Sequence, residues 1–187
     1  MEQLFYLWTF FEEYSVSSLV ISLIVAIIVI SLDLTVKGIK PFLRAVLPFL
    51  VATLFAVAYD MIWCLGDFSL RADALYSGLL CGSLASVMRA IVAKIKSGEA
   101  FMLTPTEFLV DGILEGYLIG SEKCAAVKAI AAFIEAKENL DHQAAAEKLM
   151  EEISAVLVEY AKDGLDKAEI DTLARLILQA AKSLRNN

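Results

Sequence analysis

The sequence predicts an all-α protein: an integral-membrane three-helix bundle over residues 1–98, then a cytoplasmic domain of amphipathic helices over 99–187. Three observations carry this. The chain is 59% hydrophobic, well above the roughly 45–50% of an ordinary soluble domain. The excess is uneven: residues 1–100 have a net charge of −1 and residues 101–187 a net charge of −6, so an apolar half precedes an acidic, Ala-rich one. Finally, Ala74, Gly78, Gly82 and Ser86 recur every fourth residue, with Ser77, Cys81 and Ala85 in a row beside them. On a helix this spacing makes a face with almost no side-chain bulk. In water each glycine there costs roughly 1 kcal/mol against alanine, whereas in a bilayer the same face lets two helix backbones approach closely, as in a GxxxG seam.

The elements follow in order. Leu4 to Phe11 (LFYLWTFF) is rich in aromatics, which favour the headgroup level of a bilayer. It reads equally as an interfacial lead-in or as the start of a longer first helix. No basic n-region and no small-residue cleavage site mark a signal peptide. The spans are expected at about 16–34, 42–65 and 74–95, each near the length that crosses roughly 30 Å of hydrocarbon. Gly38 and Pro41 break the first connection. Pro48 falls in the first turns of the second span, where a missing N–H is easily tolerated. Ser97-Gly98 stops the third.

Charge sets the orientation. Lys37, Lys40 and Arg44 lie in the first connection, and Arg89, Lys94 and Lys96 at the end of the third span. The second connection holds Arg71 and the N-terminus holds no Lys or Arg. The positive-inside rule then places the N-terminus outside and the C-terminal half in the cytoplasm of a multi-pass protein of the cell membrane.

Beyond residue 98, Thr104-Pro105-Thr106-Glu107 is a capping box with proline at the first helical position. The helix it opens is expected to carry Gly112, Gly116 and Gly120 as a second close-approach face. Apolar stripes through Val127 and Ile134, through Leu149 and Leu157, and through Ile170 and Ile177 mark further amphipathic helices. Asp166 and Glu169 form another capping box before the last of them.

Little in the chain carries chemistry. The acidic tail argues against nucleic-acid binding, which needs clustered Lys and Arg. Cys64, Cys81 and Cys124 fit no disulfide framework or metal site, and the single histidine, His142, reads as a solvated residue near a helix start. Asp111 and Glu115, one helical turn apart, read as a solvated helix face. Asp60 is the charged residue well inside the second span. It reaches interfacial water or pairs with Arg71 on one reading, and lines a pore or senses protons on the other. No Ser/His/Asp set, phosphate loop or metal motif is present, so the expectation is a protein that is not an enzyme, with no catalytic residue, cofactor or metal.

Three spans, an outside N-terminus, an inside C-terminus and a charged tail resemble the three-span class of bacteriophage holins. Lys123 to Glu135 (KCAAVKAIAAFIE) and Leu165 to Ala181 (LDKAEIDTLARLILQAA) are loosely similar to the C-terminal region of LL-H-type phage holins. Those generally have one span, and three-span holins carry a shorter tail. The resemblance implies a phage or prophage protein that accumulates in the cytoplasmic membrane, homo-oligomerises and forms a pore or lesion. The residues themselves leave a second expectation open: a non-enzymatic membrane anchor or adaptor, whose helical domain docks a soluble cytoplasmic partner. On either reading the lipid bilayer is a partner. Ala74, Gly78, Gly82, Ser86, Gly112 and Gly116 are the expected packing positions.

Overall fold

A computed structural model describes residues 10–36, 38, 40–63, 72–97, 104–118, 121–137, 143–160 and 165–185. Among them the protein is all-helical: a short helical piece at residues 10–12 precedes α1 (Val16–Thr35), α2 (Pro41–Trp63), α3 (Ala72–Ser97), α4 (Pro105–Ile113), α5 (Ser121–Glu135), α6 (Gln143–Tyr160) and α7 (Lys167–Arg185). Helices α1, α2 and α3 are long and apolar enough to cross a membrane. The aromatic lead-in before Phe10, Cys64 and His142 lie outside the described residues.

Local signals in the chain account for the helix ends. Ser15 caps α1, its Oγ accepting from the Ser18 N–H at 3.2 Å. The capping box at α4 forms in both directions: Thr104 Oγ1 accepts from the Glu107 N–H at 3.2 Å, and the Glu107 carboxylate accepts from the Thr104 N–H at 2.7 Å. Asp166 caps α7 by accepting from the Ala168 N–H at 2.6 Å. Pro48 lies inside α2 without ending it.

Tertiary packing centres on α3. Some 61% of its apolar stretch is buried, against 22% for α1 and 28% for α2. Its small-residue side meets α1 and α2, where Val25, Ala26, Val29, Ala52, Cys81 and Ala85 form one cluster. Its other side meets α4 and α7, with α5 and α6 packed behind them. The main core runs from Phe49, Val87 and Ala90 through Phe108, Ile113, Ile130, Leu149 and Leu157 to Ile177 and Ala181 without a break at residue 98. The reason is that α4 to α7 have only one apolar stripe each, and α3 supplies the surface that covers two of them.

Candidate functional site

The packing positions come first. Gly78 and Gly82 of α3 face α2 of the same chain. A Cβ placed on Gly78 would lie 2.7 Å from the Thr53 Cα, and one on Gly82 would lie 2.9 Å from the Phe49 Cα. The pairs 78–53 and 82–49 run in opposite directions at the same four-residue step, so this is an antiparallel seam within one molecule. Ala74 and Ser86 are buried on the same helix, and the Ser86 Oγ donates to the Gly82 carbonyl at 2.9 Å. The Ser86 carbonyl in turn fills the place a Cβ on Gly112 would need. Gly112 is therefore a true close-approach position, between α3 and α4.

Gly116 is not. The expectation of a glycine row along one helix fails because α4 ends at Ile113. Gly116 sits in the turn that follows, at φ 96°, a conformation that glycine adopts without steric cost. Its nearest neighbours, Arg44 and Pro41, would be 3.8 Å from an added Cβ, an ordinary contact. Gly120 lies outside the described residues.

The solvated-face reading of Asp111 and Glu115 is also corrected. Asp111 is 5% exposed, and its Oδ1 lies 2.9 Å from the Lys123 Nζ, tying α4 to α5. Glu115 lies past the end of α4 and belongs to a four-residue ionic cluster. At its centre is Arg89, 3% exposed, which the sequence marks only as the basic end of a span. Arg89 Nη2 lies 2.9 Å from Asp33 Oδ2, and Arg89 Nε lies 2.9 Å from Glu115 Oε2. Asp33 Oδ1 in turn lies 3.0 Å from Arg44 Nε, and Arg89 Nη1 donates to the Arg44 carbonyl at 3.2 Å. One guanidinium thus joins the end of α1, the start of α2, α3 and the turn after α4.

A second set of contacts joins the other end. Ser83 Oγ and Ser183 Oγ are 3.0 Å apart. The Tyr76 hydroxyl donates to the Ser183 carbonyl at 3.5 Å, and the Tyr14 hydroxyl donates to the Leu184 carbonyl at 3.0 Å. Helix α7 therefore packs along α3, and the residue before the α1 cap meets the end of α7. This docked arrangement brings Tyr14 and Leu184 to one end of the bundle. Burial, with the Glu13 charge adding to it, pushes the Tyr14 hydroxyl above its ordinary value. Burial beside Glu169 does the same for Tyr117.

The result is a molecule with two unlike sides. On α1 and α2, Val20, Leu23, Ile27, Leu50 and Leu54 are exposed. On the far side, α5 to α7 expose Lys128, Glu147, Glu151, Asp171, Arg175 and Gln179. Asp60 lies on α2, and its side chain is outside the described residues. Among the described residues, no three His, Cys, Asp or Glu side chains group to hold a metal ion. These features describe a chain that is all-helical among the described residues, with three helices long and apolar enough to cross a membrane. No family model, curated protein or solved structure matches it.

Proposed function

We propose that the chain is a non-enzymatic membrane anchor or adaptor, held at the cytoplasmic membrane by its apolar helices and presenting its charged helical layer to a soluble partner. The two-sidedness of the molecule carries this reading. An apolar side built from α1 and α2 opposes a charged side built from α5 to α7, which is the division a protein needs to bind lipid and water at once. The basic residues of the first connection and of the end of α3 favour the cytoplasmic side for this layer.

The rival is the holin-like reading, a homo-oligomer that opens a pore. Its physical support was a small-residue face on α3 free to meet other copies. That face is packed on α2 in the same chain, so a pore would need a different seam between copies.

Purified full-length protein added to dye-loaded vesicles separates the two. The anchor reading expects the protein to float with the vesicles while the dye stays inside, and expression in cells to leave the membrane potential intact. Dye release together with a collapsed potential would replace it with the pore reading.

A further inference from the structure

We propose that in the docked form seen here the protein lies flat on one leaflet, with the α1–α2 face sunk among the acyl chains and the helix axes in the membrane plane. This rests on the membrane reading and replaces the three crossings that length and composition allow.

The argument begins with what covers α3. Helix α4 and the turn after it meet α3 at Ser86 and Arg89. Helix α7 meets it at Ser83 and Tyr76, the latter near its start. The cover thus runs along most of the stretch that would span a bilayer. Its outer surface is charged, with Asp171, Arg175 and Gln179 exposed on α7. If α3 crossed a bilayer with this cover in place, those groups would meet hydrocarbon at mid-depth, where charged side chains are rare and face protein or water. A single copy offers them neither.

The opposite surface demands the reverse. Leu54 is 70% exposed, Ile27 56%, and Leu23 and Leu50 51% each. No Asp, Glu, Lys or Arg occurs between Val16 and Leu32, or between Ala45 and Tyr59. Lipid acyl chains cover such a surface without needing a complementary partner. With the axes in plane, that surface sinks to the depth interfacial helices reach. Then α3 lies above it as the buried layer and the charged helices stand in water. Every side chain named here has its preferred surroundings in one copy, with no undocking. Because α1 is anchored along its length, Ser17 before its first turn is complete and Lys40 beyond its last residue face the same aqueous phase.

The test uses full-length protein with its three cysteines replaced by alanine and one new cysteine at a time: Ser17→Cys, Lys40→Cys or Ala168→Cys. Each variant is added to preformed phosphatidylcholine–phosphatidylglycerol vesicles and labelled from outside with a membrane-impermeant maleimide. The flat form predicts complete labelling at all three positions, with no further labelling when detergent opens the vesicles. A spin label on Leu54→Cys should sit at acyl depth in the outer leaflet. Labelling at Ser17 or Lys40 that appears only after detergent means that α1 crosses the bilayer, and overturns the inference while leaving the anchor reading intact. Failure of all variants, and of the native chain, to float with vesicles overturns both. So does a soluble dimer in which a second copy covers the α1–α2 face.

Discussion

Replacing Arg89 tests the central contact of the fold. Arg89→Met keeps the volume and the helix propensity but removes the charge that joins Asp33, Glu115 and the Arg44 carbonyl. Losing one partner of a buried ion pair costs about 3–5 kcal/mol, because the charge left behind is uncompensated. The low end applies here. Asp33 keeps Arg44 at 3.0 Å, and Glu115, whose side chain is 32% exposed, turns partly to water. A loss of about 3 kcal/mol lowers Tm by roughly 6–12 °C for a chain of this size, at about 2–4 °C per kcal/mol. Thermal unfolding followed by circular dichroism in mild detergent measures it. Arg89→Lys should fall between, since a single ammonium cannot match the guanidinium fork that reaches both carboxylates. Adding Glu115→Gln to Arg89→Met should recover part of the loss, because the two sites are in contact and their effects are not additive. A shift below about 1 kcal/mol for Arg89→Met, or no recovery in the double variant, would refute the cluster as the joint between the helices.

Two further outcomes follow from the same geometry. Gly82→Leu places a branched side chain where even a Cβ is 2.9 Å from the Phe49 backbone. It should destabilise the fold by at least about 1–3 kcal/mol through overpacking, with the oligomeric state unchanged by size-exclusion chromatography; a variant as stable as the native chain but altered in assembly would mean that the face serves contacts between copies. At high pH, ionisation of Tyr14 should break its bond to the Leu184 carbonyl. Its folded value is raised above an unfolded value near 10, so the folded state holds this proton more tightly. The stability it contributes is complete below that pH and is lost as pH rises through the folded value. Unfolding titrations across this range should show the loss in the native chain and a smaller one in Tyr14→Phe.

Much of this architecture is legible in the residues. Apolar stretches predict three long helices where α1 to α3 lie, since a run without charge or breakers has few alternatives to a long helix. The caps at Thr104 and Asp166 are equally local, because a side-chain oxygen satisfies an N–H two or three residues away. The small-residue face is visible too, but its partner is not. A run of Gly and Ala says that a backbone approaches closely, and nothing in it says whose. Likewise Gly112 and Gly116 share a spacing, yet one abuts Ser86 and the other makes a turn, because the helix ends between them.

The sequence by itself determined the helical class, the three apolar helices and the acidic character of the tail. These depend on side chains near one another in the chain. Only the tertiary structure decided that α3 is the shared core, that the glycine seam belongs to α2, and that Arg89 gathers Asp33, Arg44 and Glu115 from three places. It also set α7 along α3 and so created the two unlike sides. Such pairings join residues up to 170 positions apart, as with Tyr14 and Leu184. They arise because each amphipathic helix must find a surface to cover it, and that surface is set by the whole packed chain.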